Sequence, residues 1–226
     1  MSQKQEKVLL VFPHPDDEAF GAAGTISKFT NKGIPVTYAC LTLGEMGRNM
    51  GNPFFATRES LPTIRKNELI DACREMGIQD LRMLGFHDKT IEFEDPEDVI
   101  SPIKEIIDEI QPTLLITFYP EHGVHPDHDA TARAAVEAVR RMDKEDRPTV
   151  WCIAITKERF EVLGKPDIVN DVMDVATQKL RTLKAHRSQT ESMLKDVVKI
   201  EKFEDIPDDR LKSFFAKESF YTYQFE

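Results

Sequence analysis

The chain of 226 residues has three cysteines, and no apolar run in it approaches the roughly 20 residues that a membrane helix needs. Cys40, Cys73 and Cys152 are odd in number and widely spaced, which gives neither a disulfide framework nor a CxxC metal or redox pair. They read as small buried hydrophobes. Basic residues are also too few for a nucleic-acid surface: 30 Lys and Arg against 40 Asp and Glu leave a formal charge of −10, which disfavours tracking of phosphates. There is no Gly/Ser-rich or Pro-rich linker, no internal repeat and no low-complexity segment, so the expectation is one domain over residues 1–226. Met1 to Lys7 is polar and lacks a signal-peptide apolar region, so a soluble cytoplasmic protein with neither membrane nor nucleic-acid partner is expected.

What is present is a pattern of strands alternating with helices. Val8–Phe12, Pro35–Leu43, Leu81–Leu84, Leu114–Phe118 and Thr149–Thr156 read as strands, the apolar ones short enough to be buried parallel strands. Between them, Phe20, Ala23, Ile26 and Phe29 have helical spacing, as do Leu61 to Met76 (with Pro62 in its first turn and Gly77 as its stop). Val99, Ile100, Ile103, Ile106, Ile107 and Ile110 form one face of a helix within Pro96–Ile110, with Pro102 a candidate for its true start. His128 opens a further helix through Val139, and Val172–Leu183 is a later one. The expected fold is α/β, a Rossmann-like, mainly parallel sheet with helices on both faces. The segment 190–226 is less regular: Val197–Phe203 has strand character, Arg210–Ala216 helix character, and Phe220–Phe225 reads as an edge strand.

Two motifs carry the chemistry, His14-Pro15-Asp16-Asp17-Glu18 and His125-Pro126-Asp127-His128, each following a strand-like run. In open α/β sheets the loops at the carboxyl ends of the strands hold ligands, so both motifs can meet in one crevice. Either alone reads equally well as a turn in which proline fixes φ and aspartate caps the next helix. Together they point to a metal centre. His14, Asp17 and His128 match a catalytic site with three protein ligands and one open position. Zinc suits that set, and so does ferrous iron. Asp16 is then a candidate general base, His125 in protonated form a donor to an oxyanion, and Asp127 an orienting partner for one of the histidines. The first strand-to-helix turn lacks G-x-G-x-x-G and offers carboxylates where phosphate would sit, so nucleotide binding ranks last. A metal-binding protein without turnover would leave Asp16 and His125 as spare polar groups.

These motifs resemble those of the PIG-L/LmbE-like, zinc-dependent N-acetylglucosamine de-N-acetylases. So do Leu41-Thr-Leu-Gly-Glu-Met-Gly47, Arg65-Lys-Asn-Glu68 with Met76-Gly77, and Leu183-Lys-Ala-His-Arg-Ser-Gln189, so the resemblance runs from about Val8 to Gln189. It implies that His14, Asp17 and His128 hold zinc, that Asp16 is the base and that His125 stabilises the oxyanion. It also implies that Arg65 binds the sugar side of the substrate and that Asp88 contacts sugar hydroxyls. Within the family the chain looks most similar to the deacetylases of bacillithiol synthesis, which implies N-acetylglucosaminyl malate as substrate. Chitooligosaccharides or a thiol-conjugate amide are the same-chemistry alternatives. For an anionic substrate Arg48, in the Gly- and Phe-containing loop Arg48–Thr57, is a second candidate cation, and that loop a candidate lid or pocket wall. His186 fits a structural hydrogen-bonding role as well as a catalytic one, and the resemblance is compatible with a homo-oligomer.

Overall fold

The computed structural model describes residues 5–195, 197 and 199–226. The elements are, in chain order, β1 (Val8–Phe12), α1 (Asp17–Gly21), α2 (Ala23–Asn31), β2 (Val36–Cys40), α3 (Leu61–Met76), β3 (Asp80–Met83), α4 (Pro96–Ile110), β4 (Leu114–Phe118), α5 (Pro126–Arg140), β5 (Thr149–Ile153), α6 (Arg159–Val162), β6 (Ile168–Asp171), α7 (Ala176–Ala185), α8 (Arg187–Thr190), α9 (Asp209–Ala216) and β7 (Lys217–Thr222). They build a seven-stranded sheet of order β3-β2-β1-β4-β5-β7-β6. The pairings among β1 to β5 are parallel, and β7 runs antiparallel to both β5 and β6.

The apolar runs are buried on both faces because the sheet is covered on both. Leu10, Phe12, Tyr38 and Ile116 pack with Ile26, Leu69 and Met76 of α2 and α3. The alternate residues Leu9, Val11, Ala39 and Leu115 pack with Ile103, Ile107 and Val139 of α4 and α5. At ~1.5–3 kcal/mol for each fully buried large aliphatic, these two layers are the main fixed term of the fold. After β3 the chain returns to place β4 on the other side of β1, so strand order reverses between β1 and β4. A crevice opens at the carboxyl end of such a switch point. Both histidine motifs leave from these two strands.

Several boundaries differ from the sequence expectations. The first helix is broken into α1 and α2 at Ala22 (φ −145°), beside Gly21, whose missing Cβ would lie 2.4 Å from Ile153 Cδ1. Pro102 lies inside α4, which instead starts where Asp95 accepts a hydrogen bond from Glu97 N at 2.9 Å and Pro96 takes a first-turn position. β7 lies between β5 and the edge strand β6, so of the aromatic tail Phe220 pairs with β6, Tyr221 and Thr222 pair with β5, and residues 223–225 lie outside any strand. Among the described residues of 197–203 none is in a strand. Among the described residues no helix is long and apolar enough to cross a membrane.

Candidate active site

The first motif leaves β1 through a strained turn. Asp16 has φ 117° and ψ −24°, a conformation that a side chain disfavours by ~1–3 kcal/mol and that persists only when its surroundings fix it. They do so from two sides. Asp16 N donates to Glu18 Oε2 at 3.1 Å, while Arg65 of α3 donates to Pro15 O and places Nη2 3.2 Å from Asp16 Oδ1. Arg65 also donates to Gly44 O at 2.9 Å, and the guanidinium occupies the space a Cβ on Gly44 would need, 1.8 Å from Nη1. Gly44, at φ +62°, is therefore required twice over.

His14 Nδ1, His128 Nε2 and the Asp17 carboxylate form a triangle. The nitrogens are 3.2 Å apart, Asp17 Oδ2 is 3.4 Å from His14 Nδ1, and Asp17 Oδ1 is 3.3 Å from His128 Nε2. A tetrahedral ion with N and O ligands at 2.0–2.1 Å has ligand-to-ligand edges of ~3.3–3.4 Å, so each of these three separations matches that of two neighbouring ligands, the two contacts to Asp17 being made by different oxygens. The opposite ring nitrogens make the choice of atoms. His128 Nδ1 is 2.8 Å from Gly123 O, and His14 Nε2 is 3.1 Å from Asp88 Oδ1 and 3.2 Å from Asp127 Oδ2. In their neutral forms both rings would thus carry the proton on the outer nitrogen and turn a lone pair inward, the arrangement in which histidine binds metals.

Two other donor groups come together, His14 with His125 and His128, and His14 with Asp88 and Asp127. Each is less suited to an ion. His125 Nδ1 accepts from Asp127 N at 3.1 Å. Asp127 is fully buried and already accepts from Lys89 N at 2.6 Å and Ile91 N at 3.2 Å, so an ion there would have no open position. The His125 bond also fixes its tautomer: the neutral ring carries hydrogen on Nε2 and can donate without being protonated. Burial, together with the nearby His14 and His128 rings, pushes the His125 pKa down, so the neutral donor is the relevant form. Burial pushes the Asp16 carboxyl up to about 6, with Arg65 pulling the other way.

A cavity of 730 Å³ is lined by His14, Asp16, Asp17, Arg65, Asp88, His125 and His128. Thus eight of the nine residues singled out from the sequence converge here, with Asp127 directly behind His14. Arg48 does not: it is exposed, outside the cavity wall, and its carbonyl accepts from Gln189 Nε2 at 2.9 Å. Its loop is laced to the segment after α7 through Met50 N to Ser188 O at 2.6 Å and Asn52 N to Glu191 Oε2 at 2.8 Å. Asp88 turns Oδ1 to His14 and accepts from Met46 N on Oδ2 at 2.9 Å.

Sequence reasoning allowed His186 a structural hydrogen-bonding role but passed over its partner and the rest of the support beneath the site. Glu18, His186 and Tyr38 are fully buried, with His186 Nε2 2.6 Å from Glu18 Oε1 and Tyr38 donating to Glu18 Oε2 at 2.9 Å. Glu18 therefore links the backbone of Asp16 to α7. Glu68 likewise accepts from Ser188 N at 2.7 Å and Ser188 Oγ at 2.6 Å, fixing α8. The acidic fifth position of the first motif and the Ala-His-Arg-Ser-Gln run were the signals available, but their pairing spans 168 residues and is set only by the fold.

The likenesses to known proteins agree with this geometry. A probable N-acetyl-alpha-D-glucosaminyl L-malate deacetylase 2 of Bacillus cereus is 57% identical over 223 residues, covering 98% of this chain and 100% of the relative. Its namesake from Bacillus subtilis is 55% identical over 221 residues, covering 97% and 98%. The structure of an N,N'-diacetylchitobiose deacetylase from Pyrococcus horikoshii superposes with a TM-score of 0.71 at 24% identity, covering 96% of this chain and 84% of the other, and so shares the fold. Residues 9–139, which span both histidine motifs, match the PIG-L family described as GlcNAc-PI de-N-acetylase, and the chain belongs to that family.

Proposed function

We propose that this chain is a metal-dependent deacetylase that hydrolyses the acetamide of N-acetylglucosaminyl malate, releasing acetate and the free amine, in the cytoplasm. The single observation that carries the reading is the triangle of His14, Asp17 and His128, with the strained Asp16 and the Nε2–H of His125 on the same cavity. The whole-length likeness to the two Bacillus relatives supports the malate glycoside, and three buried free cysteines suit a reducing compartment. Zinc is the ion we assign to the triangle; one carboxylate and two neutral imidazoles leave a divalent ion net positive.

Such an ion would supply Lewis acidity to the acetamide carbonyl and to the attacking water. Asp16, as carboxylate, takes a proton from that water as its oxygen bonds to the carbonyl carbon. The Nε2–H of His125 donates to the oxygen on which negative charge develops. As the C–N bond breaks, Asp16 returns the proton to the departing nitrogen. Arg65 holds Asp16 in place for both transfers, through Pro15 O and the Asp16 carboxylate. Asp127 and Asp88 keep the His14 lone pair turned inward. A binding protein without turnover would have no use for the strain at Asp16.

The test is Asp16→Asn in metal-loaded protein. Acetate release from the malate glycoside is expected to fall by about 10²- to 10⁴-fold with bound zinc unchanged. Turnover at the wild-type rate would remove Asp16 as the base; wild-type protein with a filled site and no acetate release would refute the deacetylase reading.

A further inference from the structure

We infer that Arg159 is the residue that reads the negative charge of the substrate's aglycone, an inference that rests on the proposed reaction and adds the determinant of its specificity. The catalytic cavity continues past Phe20 to α6, where Arg159 and Phe160 form part of its wall. Its 730 Å³ lies well within the ~300–1,000 Å³ of small-molecule sites, so it has room for a sugar and a second group. In a chain of charge −10, an anionic group needs local positive charge to be held.

Five cations line this cavity, and two are already committed. Arg65 is 3% exposed and commits Nη1 to Gly44 O and Nη2 to Pro15 O and Asp16. Lys179 is paired with Glu218 at 2.9 Å, both 1% exposed. Lys89 and Lys217 are exposed ammonium groups on flexible stems. Arg159 differs from them all. Its guanidinium lies over the Phe160 ring, 4.2 Å from the centroid, and Nη1 donates to Thr156 O at 2.7 Å. Among the described residues no carboxylate lies within ion-pair distance of it, so Nε and Nη2 remain as a two-pronged edge, the geometry that a carboxylate meets bidentately.

That edge is tied to the catalytic loops. Thr156 Oγ1 is 2.7 Å from His122 Nδ1, and Ile155 N donates to His122 O at 2.8 Å, so the β5–α6 loop is fastened to the β4–α5 loop that ends in His125. Arg159 is therefore set at a fixed place relative to the reacting centre, a condition for discrimination and not only for attraction. The ligand it fits is a carboxylate, such as that of an α-linked hydroxy acid.

The experiment compares zinc-loaded wild type, Arg159→Gln, Arg159→Lys and Lys217→Gln on N-acetylglucosaminyl malate and on the uncharged methyl N-acetylglucosaminide. Arg159→Gln is expected to lower kcat/KM for the malate glycoside about 10- to 100-fold, mainly through KM, and to leave the methyl glycoside within about 2-fold. Arg159→Lys should restore part of the loss. An equal loss on both substrates, no loss, or a selective loss in Lys217→Gln alone overturns the assignment. Wild type that prefers the malate glycoside with Arg159→Gln retaining that preference sinks only Arg159. Wild type without preference for the charged substrate sinks the malate reading and this inference together.

Discussion

Replacing Asp127 by Asn keeps the shape of the side chain and changes only what it can accept. Oδ1 takes the Ile91 N–H at 3.2 Å, and Oδ2 takes the Lys89 N–H at 2.6 Å and faces His14 Nε2 at 3.2 Å. An amide must turn its NH2 toward one of these donors. The lesser conflict puts it against Ile91, leaving a buried N–H without a partner at a cost of about 1–3 kcal/mol. The remaining amide oxygen still faces His14 but carries no charge, so the ring is held less firmly with its proton outward. Loss of such an orienting carboxylate typically weakens metal binding or activity about 10- to 100-fold. Chelator competition for zinc, acetate release at saturating zinc and urea denaturation should therefore all respond, with Asp127→Ala worse than Asp127→Asn because it strands both N–H groups. Wild-type zinc affinity and turnover in Asp127→Asn, with stability alone reduced, would refute the reasoning. It would mean that Asp127 merely braces residues 89–91 and that Asp88, 3.1 Å from His14 Nε2, orients the ring.

Three further outcomes follow from the same geometry. Because Asp16 acts as carboxylate and burial raises its pKa to about 6, kcat/KM should fall as pH drops through a limb at or below about 6, a bound cation moving it downward; a rate independent of pH from 5 to 8 would contradict the base assignment. His186→Ala strips the fully buried Glu18 of its cationic partner, leaving Tyr38 and Asp16 N, and should cost about 3–5 kcal/mol in denaturation. Burial alone would lower the His186 pKa, yet the Glu18 carboxylate raises it above the ordinary value, so the pair's contribution is complete below about pH 6.5 and lost as pH rises through the folded pKa. His186→Ala should thus flatten the fall of stability above neutral pH, and an unchanged pH profile would argue against the ion pair.

The sequence was sufficient for the alternation of strands and helices, since β1 and β4 are uninterrupted apolar runs and α4 shows its buried isoleucines at helical spacing. It was sufficient also to pick residues that the fold brings to one cavity, because His-Pro-Asp motifs after strands name donors at positions where open sheets bind ligands. It misjudged what depends on neighbours. Phe220–Phe225 looked like an edge strand, but only its first three residues fall in β7, and whether a strand is an edge is decided by whether another lies beyond it, as β6 does beyond β7. Arg65 was the first candidate cation for the substrate and Arg48 the second; the fold buries Arg65 against Asp16 and leaves Arg48 outside the cavity. Arg159 carries no local signature, because its significance comes only from sharing a wall with His14 and His128, more than thirty residues away along the chain. Local patterns fix secondary structure and donor chemistry because these depend on nearest neighbours. Which nitrogen of His14 faces inward, which cation stays free and how far the cavity reaches depend on side chains joined through the sheet, and only the tertiary structure decided them.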